Sequence, residues 1–322
     1  MIGSHEIVVQ NRRVQYKFTL YRNITILQGD SATGKTTLIE MIAAHQTAGD
    51  ASGVTIKCDV SCVVLPILNW QLILASTHNS IVFIDEGDSF IASNDFASAV
   101  KNSDNYFVIA TRRALTALPY STAEIYGIKN RAGSRYQGTK RIYSGFFPLY
   151  RIENTLPVKP NLVIVEDSNS GYEFFKQVCD DHGLTCVSAQ GKSNIYKTVV
   201  ACPSDQNILV IADGAAFGSE INRITALMKQ RKNITVCLPE SFEWLILKSG
   251  IIVSAHLHDI LGHPSDYIES SKYFSWERFF THLLTEQTQE TYLRYNKQHL
   301  NEVYLHDANK LKILDMIPDI FA

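Results

Sequence analysis

Cysteine is scarce in this chain, with six in 322 residues, at Cys58, Cys62, Cys179, Cys186, Cys202 and Cys237. That is too sparse for the disulfide framework of a small secreted domain, and reduced thiols are the expectation. No paired Cys-x-x-Cys unit occurs, so Cys179, His182 and Cys186 do not read as a zinc site. Long apolar runs are missing as well. Stretches such as Cys62–Leu68 fall far short of the ~20 residues that a membrane-spanning helix needs. The opening residues, Met1-Ile2-Gly3-Ser4-His5-Glu6, lack a basic region followed by an apolar one, the form of a secretory leader. A cytoplasmic protein with no membrane partner is expected. Excess charge of either sign is also lacking, because 30 basic residues against 32 acidic ones leave a formal charge of −2. Nucleic acid would therefore have to be met by a local patch rather than by the global field.

What is present is enough chain for two domains, each able to bury its own core. In the first half, β-rich runs alternate with helical stretches, the form of an α/β domain around a largely parallel sheet. Strands are expected at Asn23–Gln28, Gly53–Lys57, Ser61–Leu65, Ser80–Asp85 and Asn105–Thr111, with helices at Lys35–His45, Asn69–Ser76 and Asp95–Lys101. Gly127–Tyr150 reads as a hairpin or loop region that mixes Lys129, Arg131, Arg135, Lys140 and Arg141 with Tyr136, Tyr143, Phe146 and Phe147. Such a segment is either a solvated hairpin or a surface that meets phosphates and stacks on bases. Prolines at Pro148, Pro157 and Pro160 then punctuate the chain, which places a boundary near Leu156–Pro160. The expected division is 1–156, 160–250 and a mainly helical extension, 251–322.

Gly29-Asp30-Ser31-Ala32-Thr33-Gly34-Lys35-Thr36 satisfies GxxxxGK[ST], followed by Thr37, and it lies between an expected strand and an expected helix. In that setting the glycines let backbone N–H groups curl around phosphate oxygens, and the helix adds the positive end of its dipole. Lys35 would reach the β- and γ-phosphates, and the Thr36 hydroxyl would ligate magnesium. Downstream, Ile81-Val82-Phe83-Ile84 ends in Asp85-Glu86, which suits Asp85 to hold the ion and Glu86 to deprotonate the attacking water. A further apolar strand ends in Thr111-Arg112-Arg113, where Thr111 is the candidate γ-phosphate sensor and Arg112 or Arg113 a charge-stabilising finger.

On these motifs the first ~150 residues resemble an ASCE-type P-loop ATPase of the broad AAA/ABC/RecA group. The resemblance implies a P-loop NTPase three-layer sandwich, with ATP and Mg2+ as cofactors. No LSGGQ-like signature occurs, which argues against a transporter or SMC head, and no NKxD sequence favours GTP.

From Leu162 a second, smaller α/β unit follows, with strands at 162–166, 185–189, 207–213 and 233–238 and helices at 171–181, 193–201 and 219–229. Beyond it, Trp276, Phe279, Phe280, Leu283 and Leu284 carry helical periodicity toward Tyr292 and Leu293. Two of its strands end in carboxylates, Glu166-Asp167 and Asp213. Strand tips of a parallel sheet share one edge, so Glu166, Asp167 and Asp213 are placed to converge on a metal ion, with Glu240 and Glu243 extending the acidic edge. The layout is similar to a Toprim domain, and an ATPase followed by Toprim resembles the OLD nucleases. Ala215 stands where that family's second aspartate belongs. The unit also resembles a response-regulator receiver with Asp213 as phosphoacceptor, though no lysine follows the later strand, and an inert flavodoxin-like domain stays equally open. The expectation is an ATP-hydrolysing protein whose nucleotide state controls an acidic-edge domain acting on or near DNA or RNA. The alternative is a nucleotide-switched regulator that binds a second copy or a partner protein and has no second chemistry.

Overall fold

The structure is a computed structural model and describes residues 1–29, 33–87, 89–130, 142–150 and 159–317. The chain forms two compact units, one from Met1–Tyr150 with His263–Phe274, the other from Arg151–Gly262 with Ser275–Ala322. The segment 251–322 is therefore shared between them, residues 263–274 belonging to the first and the remainder to the second.

The first unit opens with β1 (His5–Gln10) and β2 (Val14–Leu20), an antiparallel pair. Ile7 and Val9 alternate inward on one strand and Tyr16, Phe18 and Leu20 on the other, the period-two pattern of strands buried on one face. The turn between them is held by Asn11, whose Oδ1 accepts from the N–H groups of Arg13 (2.7 Å) and Val14 (2.9 Å). Next come β3 (Ile24–Leu27), α1 (Lys35–Ala48), β4 (Thr55–Lys57), β5 (Ser61–Val64) and α2 (Trp70–Ser76). They are followed by β6 (Ser80–Ile84), α3 (Asn94–Lys101), β7 (Tyr106–Ala110), β8 (Ile125–Asn130) and β9 (Ile142–Pro148).

All nine strands join one sheet in the order β4-β1-β2-β9-β8-β3-β7-β6-β5. The five at one end, β8-β3-β7-β6-β5, are mutually parallel. Every residue of β3, β6 and β7 is buried, as expected of strands covered on both faces. Leu38, Ile39 and Ile42 of α1 share a core cluster with Phe83 and Val108 on one face of this sheet. On the other face, Phe107 meets Phe96 of α3 edge-on at 6.2 Å, and Trp70 of α2 stacks with Phe90 at 4.9 Å. Gly53–Lys57 yields only the short β4, which pairs antiparallel with β1 at the sheet's far edge rather than within the parallel core. Gly127–Tyr150 forms the antiparallel pair β8–β9, from Tyr126↔Pro148 to Asn130↔Ser144. Its aromatic residues serve packing. Phe146 stacks on Phe18 at 3.8 Å, and Lys129 lies over Phe147 at 5.4 Å. Arg131, Arg135, Tyr136, Lys140 and Arg141 lie outside the described residues.

The second unit runs β10 (Leu162–Val165), α4 (Ser170–Asp181), β11 (Thr185–Ser188), α5 (Lys192–Ala201), β12 (Ile208–Ile211), α6 (Ile221–Gln230) and β13 (Ile234–Cys237). It ends with α7 (Phe242–Lys248), α8 (Ala255–Gly262), α9 (Trp276–Thr288) and α10 (Asp307–Leu314). Its four strands are all parallel, in the order β11-β10-β12-β13. The order reverses between β10 and β12, and a crevice at the carboxyl ends of those two strands is where such sheets build sites. Helix α9 stops at Thr288, whose Oγ1 bonds back to Leu284 O (2.7 Å) and accepts from Tyr295 N (3.0 Å). The periodicity through Tyr292 and Leu293 thus continues as turns, not helix. Among the described residues no helix is long and apolar enough to cross a membrane.

Candidate functional site

Strand β7 lies between β3 and β6, and all three run the same way, so the loop after β3 and the carboxylates after β6 share the sheet's carboxyl edge. Gly29 has φ +136° and Gly34 φ +93°, conformations that L side chains rarely adopt. A Cβ on Gly34 would also stand 2.8 Å from the Tyr16 hydroxyl, which itself donates to Gly34 O at 3.1 Å. Burial pushes the Tyr16 phenol above its ordinary pKa, so it stays a donor there. Gly34 opens α1 with no side-chain cap and no acidic residue in the first turn, leaving that helix end open to an anion.

Lys35 is buried, and its Nζ donates to Gly29 O at 2.8 Å and Thr33 Oγ1 at 3.3 Å. Thr36 and Thr37 are exposed on the first turn of α1. The Thr36 hydroxyl donates to Asp85 Oδ1 at 3.5 Å, and the same oxygen accepts from Glu86 N at 2.7 Å. Glu86 faces two cations, with Oε1 2.5 Å from Arg112 Nε and Oε2 3.8 Å from Lys35 Nζ. Thr111 is buried and its hydroxyl is engaged locally, accepting from Arg113 N at 3.0 Å and donating to Arg113 O at 3.3 Å. It shapes the turn after β7 and would have to break those bonds to sense a ligand. A cavity of about 310 Å3 adjoins Glu86, Thr111, Arg112 and Arg113, with Ile91 and Leu115 as its apolar wall. The loop residues Asp30, Ser31 and Ala32 lie outside the described residues.

In the second unit β10 and β12 are neighbours, and the structure brings Glu166 and Asp213 together: Asp213 N donates to Glu166 Oε2 at 3.0 Å. Asp167 does not join them. Its carboxylate accepts from Ser168 N (2.7 Å), Asn169 N (3.1 Å) and Gly171 N (2.9 Å), capping the start of α4. Ala215 is buried and offers no ligand. Burial pushes Glu166 up to about 7; the Asp213 N–H opposes this, Glu277 and Asp167 add to it and Lys192 subtracts. Asp213 is raised well above the carboxylate range, by burial first and then by Glu277, Glu166 and Glu243.

Sequence reasoning missed the groups that surround this pair. Lys297 Nζ bonds Glu277 Oε1 at 2.8 Å and lies 3.5 Å from Glu243 Oε1. Burial lowers the Lys297 ammonium's pKa, but those two carboxylates override it and keep the lysine charged. The Tyr295 hydroxyl links Ser170 Oγ (2.7 Å) to Glu243 Oε1 (2.8 Å), and Lys192 Nζ donates to Ala216 O at 2.8 Å. Glu243, expected as part of an acidic edge, is thus a buried, paired carboxylate. Lys297 and Tyr295 lie in the turns after α9 and carry no motif that could have marked them. Among the described residues, no group of three or more His, Cys, Asp or Glu stands close enough to hold a metal ion.

No protein-family model matches the chain, and neither a curated protein nor a solved structure does.

Proposed function

We propose that the first unit is a P-loop ATPase domain of the ASCE arrangement, binding ATP with magnesium and hydrolysing it. The observation that carries this reading is the insertion of β7 between β3 and β6, with Lys35 and Thr36 facing Asp85 and Glu86 across one sheet edge. Lys35 would exchange Gly29 O for phosphate oxygens, with the uncapped start of α1 as a second attraction for the same anion. Thr36 Oγ1 and Asp85 Oδ1, two hard oxygens 3.5 Å apart, suit magnesium and would hold it. When bound, that ion neutralises charge between the β- and γ-oxygens. Glu86 takes the proton of the attacking water, and Arg112 lies within reach of the same carboxylate.

Lys35→Ala is expected to weaken ATP binding at least about tenfold, since a charge-assisted contact to phosphate is lost. Isothermal titration with Mg-ATP checks this, and equal affinities in the two proteins would sink the reading.

For the second unit the proposal is a magnesium site at Glu166 and Asp213, whose use depends on the nucleotide state of the first, acting on phosphodiesters of DNA or RNA. Magnesium is commonly held by one or two carboxylates plus water and phosphate, so a pair suffices. Magnesium-dependent cleavage of single-stranded DNA, duplex DNA or RNA is expected, and its loss in Glu166→Ala and Asp213→Ala. The second reading, a nucleotide-switched regulator of a partner protein, is favoured by Ala215 and by the capping role of Asp167. Tight ATP binding with no cleavage and no stimulation by nucleic acid would decide for it.

A further inference from the structure

The geometry points to Arg112 as a latch that trades Glu86 for the γ-phosphoryl group, tying release of the base to the presence of a triphosphate. This inference rests on the ATPase reading of the first unit and adds to it how that site tells ATP from ADP.

Arg112 projects from the tip of β7, the strand between the glycine-rich loop's strand and the acidic strand, so its guanidinium stands beside both. The backbone beneath it is fixed, because the Thr111 hydroxyl bonds both N–H and C=O of Arg113. What is left to move is the side chain, which is 54 % exposed. In the nucleotide-free protein it holds Glu86 Oε1 at 2.5 Å, while the other carboxylate oxygen faces Lys35 at 3.8 Å. Both oxygens of Glu86 are thus turned to cations and neither is committed to a water.

A half-exposed carboxylate–guanidinium pair is weak and exchanges readily. A γ-phosphoryl group offers the guanidinium fork more charge and more oxygens than a carboxylate does, so it wins the exchange. The cavity of about 310 Å3 between Glu86, Thr111 and Arg112 gives the side chain room to swing. Lys35 leaves Glu86 in the same event, drawn to the phosphates, and the carboxylate is then free to face the attacking water. With ADP there is no γ-oxygen, Arg112 stays on Glu86 and the base remains covered. The same swing puts positive charge where the transition state gathers negative charge.

The test compares affinities of the full-length protein for ADP and for a non-hydrolysable ATP analogue, both carrying a fluorescent ribose label, in wild type, Arg112→Ala and Arg112→Lys. Arg112→Ala should lose about tenfold in its preference for the triphosphate while ADP affinity stays within about twofold, and Arg112→Lys should recover part of that preference. An unchanged triphosphate-to-diphosphate ratio in Arg112→Ala overturns the exchange, and faster hydrolysis with that unchanged ratio would make Arg112 a restraint on Glu86 alone. If wild type binds neither nucleotide, the ATPase reading falls and the latch with it; binding by wild type with an indifferent Arg112→Ala removes the latch only.

Discussion

Glu86→Gln should lower the ATP turnover number by about 10²–10⁴-fold, the range that positioned general-base catalysis contributes, while ATP affinity changes little. Glutamine keeps the shape and one acceptor oxygen but cannot take a proton. The substitution should spare the fold, since Glu86 is 29 % exposed and its ion pairs are of the surface kind worth at most about 1 kcal/mol. Affinity should hold or rise slightly, because Arg112 and Lys35 lose a competitor for phosphate. Single-turnover hydrolysis beside titration of binding separates the two effects. Turnover equal to wild type would remove Glu86 from the chemistry, and a parallel loss of binding would recast it as a structural residue of the loop.

The parallel core of the first unit was legible because its strands are apolar without interruption: Ile24–Leu27, Ile81–Ile84 and Tyr106–Ala110 read as strands buried on both faces. The carboxylates at their ends stand out against that background, so Asp85 and Glu86 could be placed by sequence. The β1–β2 pair was not found. Its alternation is blurred by His5 and Tyr16 at inward positions, and an Asx turn at Asn11 replaces a glycine turn signal. The parallel pairing of β2 with β9 joins residues well over a hundred positions apart, which no local pattern encodes. Thr111 was read by its position at a strand tip, yet its hydroxyl is used by its own turn, a competition typical of Ser and Thr.

In the second unit the β/α alternation from β10 to β13 is local and was readable. Its site is not local. Glu166 and Asp213 sit on adjacent strand tips as sequence order suggested, but the residues that set their charge state, Glu243, Glu277 and Lys297, come from α7, α9 and the turns that follow. Asp167 reads as a ligand in sequence and is a helix cap in space, because three backbone N–H groups at the start of α4 lie closer to it than its neighbours' carboxylates do.

That surrounding charge makes Glu166 the residue whose removal should change stability most with pH. Its carboxyl is pushed from 4.5 up to about 7, by burial first, with Glu277 and Asp167 adding and Lys192 opposing. Below about pH 4.5 native and unfolded chains both hold the proton, and Glu166→Gln should be neutral. Between there and pH 7 the unfolded chain gives up its proton while the native one keeps it, so wild-type stability falls as pH rises. Above pH 7 both are ionised and the native state carries the full cost, on the order of 3 kcal/mol at ~1.4 kcal/mol per unit. Glutamine is never charged and its carbonyl still accepts from Asp213 N, so Glu166→Gln should unfold at higher denaturant than wild type at pH 8, by roughly that amount in free energy, and at the same denaturant at pH 4.5. Asp213, raised by the same surroundings, steepens the wild-type slope in the same direction. Magnesium then separates a metal site from a merely strained carboxylate: with EDTA the pH-dependent gap between the proteins should be largest, and millimolar magnesium should stabilise wild type above pH 7 but not Glu166→Gln. Parallel pH profiles would show that Glu166 titrates as an ordinary surface carboxylate, and equal stabilisation of both proteins by magnesium would place the ion elsewhere.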